Sequence, residues 1–132
     1  MENCIFCKIA NKEIPADIIY EDDKIVAFLD IRPVNPGHTL VIPKDHHKMM
    51  GETPDEIISH IFVKAKRIMR VIRKVTDANY VAVSVVGLDV PHFHIHLVPR
   101  YFNDGLANFW PGKEYKEGEA KKVATKIKAF LK

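Results

Sequence analysis

Cysteine is scarce in this chain, with two among 132 residues, Cys4 and Cys7. So few exclude a disulfide framework. A pair spaced by two residues points instead to metal binding, redox use, or two small buried side chains. No apolar run approaches the ~18 residues of a membrane-spanning helix, and Met1-Glu2-Asn3-Cys4 lacks the basic-then-apolar plan of a secretory signal. A cytoplasmic location without a membrane partner is therefore expected. An excess of one charge is also missing: 20 lysines and arginines against 17 acidic residues leave a formal net charge of +3. Part of that surplus lies in Lys121, Lys122, Lys126, Lys128 and Lys132, which read as the solvated face of a helix, so nucleic-acid binding is not expected. Repeats, low-complexity tracts and linkers are absent. What remains, 47% hydrophobic and 28% charged residues, describes one globular domain over 1–132, long enough to bury a core without staples.

Proline, glycine and aspartate divide the chain into short elements. Ile5, Phe6 and Ile9 predict one or two turns of helix before Asn11. Residues 18–21 and 24–29 flank Asp22-Asp23 and predict a β-hairpin whose turn chemistry comes from the aspartates. A loop with two prolines and a glycine (31–37) leads to a third strand over 38–43. Thr53-Pro54-Asp55-Glu56 combines an N-cap, a proline at the first helical position and a glutamate three residues after the cap. A long helix should follow, its core stripe formed by Ile57, Ile58, Ile61, Phe62, Ala65, Ile68, Met69 and Ile72. Residues 80–86 predict a strand ending at Gly87, and the short connection to Pro91 makes the next strand an antiparallel neighbour. The loop 103–112, which includes Trp110, is expected near the site. Ala120, Val123, Ala124, Ile127, Phe130 and Leu131 predict a short C-terminal amphipathic helix. An antiparallel sheet of about five strands with one long helix and a short one gives an α+β domain.

The stretch that carries chemistry is Pro91-His92-Phe93-His94-Ile95-His96-Leu97-Val98-Pro99-Arg100. Histidine alternating with Phe93, Ile95 and Leu97 is the period of a half-buried strand, on which residues two apart share a face about 6.5 Å apart. His92, His94 and His96 should then form one imidazole row backed by an apolar row. Three imidazoles on one face bind a metal or share protons with a reacting group. A histidine can itself attack a phosphorus or carbonyl centre through a covalent intermediate, with neighbouring rings moving protons. His94, in the middle, is the nucleophile by this reading, and His96 holds the leaving-group or phosphate oxygen. His38 fixes the tautomer of His94, or is an ordinary half-buried strand-end histidine. His60, on the long helix, is expected to face solvent.

Residues 93–98, following His92, complete the pattern His-φ-His-φ-His-φ-φ, where φ is apolar, and the chain resembles the histidine triad (HIT) family of nucleotide hydrolases and transferases. Segments 4–9, 13–16, 20–23, 27–31 and 37–44 are similar in order to its Hint-like branch, so the likeness runs from Cys4 to about Trp110. It implies a HIT-like fold in which His94 attacks the α-phosphorus of a purine nucleotide such as an AMP conjugate, a phosphoramidate or a phosphoanhydride. Water then resolves the nucleotidyl-histidine. The resemblance also implies that Asp30 binds the ribose hydroxyls and that Phe6, Ile9, Ile14, Phe28 and Ile31 form the slot for the base. Phe28 and Ile9 read equally well as core. In zinc-bearing relatives the ligands match Cys4, Cys7, His46 and His92, a four-coordinate structural site. A homodimer joined through the helix and a strand edge is implied as well, with no organic cofactor.

The sequence departs from the family pattern before the triad. Where many relatives carry a polar phosphate-binding pair, this chain has Gly87-Leu88-Asp89-Val90-Pro91. Leu88 donates no hydrogen bond, an unpaired Asp89 repels a phosphate, and backbone N–H groups of the loop are the available substitute. Two further classes stay open: a catalytically quiet nucleotide-binding or scaffold module, and a zinc-dependent hydrolase using the histidine row as ligands, although no carboxylate base sits in that row.

Overall fold

The computed structural model describes residues 3–106 and 112–131. Trp110, in the loop expected near the site, lies outside them. The elements are α1 (Ile5–Ala10), β1 (Ile18–Glu21), β2 (Ile25–Leu29), β3 (Thr39–Pro43), a 3-10 turn (Met50–Glu52), α2 (Asp55–Thr76), β4 (Tyr80–Ser84), β5 (Ile95–Arg100) and α3 (Glu119–Phe130). The strands form one sheet in the order β1-β2-β3-β5-β4, with every neighbour antiparallel. The fold is α+β, as the pattern of elements predicts.

The central strands are covered on both faces, which is why β2 and β3 read as continuous apolar runs. Ile25, Ala27 and Val41 point to one side, where they pack with Phe93, Ile95 and Leu97 against Ile61, Ala65, Ile68 and Ile72 of α2. Val26, Phe28, Leu40 and Ile42 point to the other side and meet Cys4, Phe6, Ile9 and Ala10 around α1. The apolar row between the histidines thus belongs to the α2 core, and the imidazoles fall on the face that α1 only partly covers. That division leaves room for a cleft beside α1.

Local signals hold at the hairpin and fail elsewhere for specific reasons. Asp22 Oδ1 accepts the N–H groups of Lys24 and Ile25 at 2.8 and 2.9 Å, making the tight turn. Thr53 does not cap α2: its hydroxyl donates to the Met49 carbonyl at 2.9 Å, and Pro54 occupies the cap position without a side-chain bond. Acidic Asp55 and Glu56 in the first turn still interact favourably with the positive end of the helix dipole. β4 stops at Ser84 rather than Val86, and the predicted histidine strand begins at Ile95, not Pro91: its ladder with β4 starts where Ser84 pairs with His96, and its ladder with β3 where Val41 pairs with Ile95. Residues before it are held by the loop instead, with Phe93 N–H donating to His47 O at 2.7 Å. α3 forms where its spacing predicts, but none of its residues is buried, and Ile127 is 54% exposed.

One loop position is restricted to glycine by geometry. Gly37 has φ +100°, and a Cβ there would lie 2.9 Å from Thr76 Cγ2. The loop it closes is pinned to the end of β5, where Asn35 Nδ2 donates to the Pro99 carbonyl at 2.9 Å. These contacts place His38 at the start of β3.

Candidate active site

Three histidines meet at the open end of β3 and β5, and their hydrogen bonds assign a proton to each ring. His94 Nδ1 lies 2.7 Å from the His92 carbonyl oxygen. A carbonyl only accepts, so Nδ1 carries the hydrogen and Nε2 keeps its lone pair. The backbone N–H of Val34 donates to His38 Nδ1 at 3.0 Å, so the neutral His38 ring is protonated on Nε2. That Nε2 lies 3.0 Å from His96 Nδ1, which accepts and leaves His96 with its hydrogen on Nε2. His94 is therefore arranged as a nucleophile and His96 as a donor. The rings of His94 and His96 are 4.9 Å apart between centroids.

This differs from the sequence expectation in two particulars. His38 orients His96, not His94; the tautomer of His94 is set by a backbone carbonyl, which no side-chain pattern announces. His92 contributes only that carbonyl to the row. Its own ring is fully buried and turned toward the cysteines.

Beside the row lies a cleft of about 400 Å³, lined by Phe6, Ile9, Ile14, Phe28, Ile31, Leu40, Asp30, His94 and His96 among others. Phe6 meets His94 edge-to-face at 5.0 Å and Phe28 at 5.6 Å, fixing the inner wall. Phe28 and Ile9 are both core and lining, since each is buried and also borders the cleft. Ile31 is 88% exposed and forms the rim, so core packing does not explain it. Asp30 Oδ1 accepts the Arg32 N–H at 2.9 Å, and Oδ2 lies 3.7 Å from His38 Nε2. The carboxylate absent from the linear row is thus supplied in space by Asp30. Ile5, Leu40, Val90 and Asp89 also line the cleft; the position of Asp89 in the departing segment was the one advance signal among these.

A second cluster lies behind α1. Cys7 Sγ is 3.2 Å from His46 Nδ1, Cys4 Sγ is 3.3 Å from His92 Nδ1, and all four donor atoms fall within 4.8 Å of one another. Tetrahedral zinc with bonds of 2.0–2.3 Å needs its ligands about 3.3–3.8 Å apart, so the set fits the ion. His92 Nε2 lies 2.8 Å from the Pro43 carbonyl, which fixes the hydrogen there and turns the Nδ1 lone pair toward the sulfurs. Burial and the neighbouring Cys4 push the Cys7 thiol up to about 11. No strand precedes Cys4 among the described residues, and the raised Cys7 thiol does not suit a redox pair, whose attacking thiol ionises readily.

His60 is not a solvent-facing residue. Its Nε2 lies 2.8 Å from Asp22 Oδ2, and Tyr20 donates to the same oxygen at 2.9 Å, tying α2 to the hairpin. A larger groove of about 510 Å³ lies on the α2 side, between Ile19, Leu29, Val71 and Val75, with Lys64 and Arg67 also lining it. It contains no imidazole, thiol or carboxylate among its described lining residues, so size does not identify the reactive site.

Burial pushes His38 and His96 below the ordinary histidine range; the charge of Asp30 opposes this at His38, and Asp30 and Asp89 oppose it at His96. An unfolded histidine titrates near pH 6.5, so below that pH the unfolded chain binds more protons than the fold. Stability should fall as the pH falls through this interval. Thermal melts from pH 7 to 5.5 should show a declining Tm, with a shallower decline in His38→Asn. A wild-type Tm that stays level or rises on acidification would contradict the neutral pair.

An α+β domain with an oriented imidazole pair above an apolar cleft describes a class, and comparison with known proteins identifies it. Residues 11–103 match the family model described as HIT domain. A HIT family protein of Bacillus subtilis superimposes with a TM-score of 0.88 at 36% identity, covering 98% of each chain. A zinc-bound histidine triad family protein of Mycobacterium smegmatis gives 0.76 at 31% identity, covering 97% of each. A protein of Saccharomyces cerevisiae named adenosine 5′-monophosphoramidase is 38% identical over 114 residues, 84% of this chain and 72% of that one. The chain belongs to the HIT family.

Proposed function

We propose that the protein is a nucleotide hydrolase or transferase that cleaves a phosphoramidate or phosphoanhydride at the α-phosphorus of a purine nucleotide, through a nucleotidyl-histidine at His94. The observation that carries this reading is the 2.7 Å contact of His94 Nδ1 with the His92 carbonyl, which frees Nε2 beside the cleft. In the first step His94 Nε2 bonds to phosphorus as the bond to the leaving nitrogen or oxygen breaks, and His96 Nε2–H gives that atom its proton. In the second, water attacks phosphorus, the phosphorus–nitrogen bond to His94 breaks, and the water proton returns to His96. Asp30 receives the ribose hydroxyls, and Phe6, Ile9, Ile14, Phe28 and Ile31 hold the base. The name of the yeast relative supports the phosphoramidate class.

Cys4, Cys7, His46 and His92 would hold zinc, whose contribution is structural because four protein ligands leave no position for water. The reaction needs no organic cofactor. We further read the protein as a cytoplasmic homodimer; no described helix is long and apolar enough to cross a membrane. Exposed Val63, Val71 and Val75 on α2 and Val83 on the edge strand β4 support association.

The test is hydrolysis of an adenosine phosphoramidate, with acid-quenched protein analysed by mass for an AMP adduct. An adduct on His94, formed with and without brief chelation, is the expected result. Binding without turnover would favour a quiet nucleotide module. Immediate loss of activity on chelation would favour a zinc-dependent hydrolase, for which Asp30, His38 and His96 form a second group of potential ligands. Light scattering of the same preparation should give twice the chain mass, and a monomer would remove the dimer from this reading.

A further inference from the structure

The cleft beside the histidines contains no lysine or arginine among its described lining residues. Its charged side chains are the carboxylates of Asp30 and Asp89. Asp30 lies on the ribose side and is engaged by the Arg32 N–H. Asp89 stands elsewhere: with Ile5 and Val90 it borders both this cleft and a second groove, which continues past Asn3, His46 and Lys48. Shared walls mark the junction between the two. With the base against Phe28 and phosphorus at His94, as in the function proposed above, that junction offers the departing group a way toward the second groove. No cation or hydrogen-bond donor neutralises the Asp89 carboxylate among the described residues, and its field reaches His96, whose charged form it favours. Lys48 lines the second groove only.

We propose that Asp89 selects the leaving group by charge. The preferred substrates are nucleoside phosphoramidates whose departing amine bears a further positive charge, such as a diamine or polyamine conjugate, and polyphosphate leaving groups are disfavoured. This rests on the function proposed above and deepens it. A carboxylate at the mouth of a low-dielectric cleft attracts an ammonium and repels each added phosphate, so the selection works by repulsion as well as attraction. Because Asp89 is exposed, the effect is moderate and screened by salt.

The test uses AMP joined through nitrogen to 1,3-diaminopropane, AMP joined to butylamine as its neutral isostere, and a diadenosine polyphosphate. Values of kcat/KM are compared as ratios, so any general loss in a variant cancels. Wild-type protein should favour the diamine over the butylamine compound by about tenfold, and the latter over the polyphosphate by at least as much. Asp89→Asn should bring both ratios toward one, Asp89→Glu should keep them, and added salt should reduce them only where the carboxylate is present. Ratios unmoved by Asp89→Asn, or a wild-type preference for the polyphosphate, would overturn the inference. If wild-type protein cleaves none of the three, the proposed reaction fails. Calorimetric binding of the intact compounds then decides the inference, by the same order and its loss in Asp89→Asn, or by equal affinities.

Discussion

Replacing His94 with alanine or asparagine is expected to lower turnover of an adenosine phosphoramidate by on the order of 10⁴-fold or more, while nucleotide affinity stays within a few-fold. The asymmetry follows from the geometry. His94 offers its Nε2 lone pair to phosphorus only while a bond forms, whereas Asp30 and the apolar walls act on the nucleotide in the ground state as well. Asparagine is the cleaner substitution, because its amide can still donate to the His92 carbonyl that His94 Nδ1 meets at 2.7 Å. The phenyl ring of Phe6, packed on the His94 edge, loses less support than with alanine. His96→Ala should cost about 10²- to 10⁴-fold as a lost proton donor. His38→Ala should cost less, since it acts through His96. If His94→Asn kept most of its turnover, or if the quenched adduct lay on another residue, the covalent mechanism would be wrong even though the fold is right.

The second large effect is expected at the cysteine cluster. Cys7→Ser should abolish stoichiometric zinc binding and lower Tm by on the order of 10 °C or more, because ligand binding to the folded state alone is folding free energy. The loss should be local at first. Cys4 caps and Cys7 lies on α1, a six-residue helix too short to persist without its tertiary contacts, while the α2 core is formed by other residues. Hydrogen exchange should therefore accelerate around α1 and His46 before it changes in α2. Since Phe6 stands on α1 and also packs on His94, activity should decline together with α1 protection and not in immediate step with the metal. Full activity and an unchanged Tm in a zinc-free Cys7→Ser protein would remove the structural role.

What could be read in the residues themselves was periodicity and local chemistry. Alternation by two over residues 92–98 divides the imidazoles from Phe93, Ile95 and Leu97, and those three are indeed in the α2 core. The hairpin at Asp22, the long helix and the α+β class follow from equally local causes: a carboxylate that accepts nearby N–H groups, a stripe at helical spacing, and short connections that allow only antiparallel neighbours. Such signals depend on the chain's own geometry within a few residues.

Tertiary structure decided what depends on groups distant in sequence or on the backbone. The lone pair of His94 is directed by a main-chain carbonyl, and the hydrogen of His96 is set by a relay from the Val34 N–H through His38. No choice of side chains spells out either contact. His92 and His94 are two residues apart, yet one serves the cysteines and the other the cleft. The strand ladder begins only at Ile95, paired with Val41 of β3, and the residues before it are held by the loop, Phe93 N–H donating to the His47 carbonyl. His60, unremarkable on a helix wheel, meets Asp22 across 38 positions. The sequence by itself determined which residue types were available and on which face they could lie; folding determined which proton each ring holds, because that depends on partners brought together from separate segments.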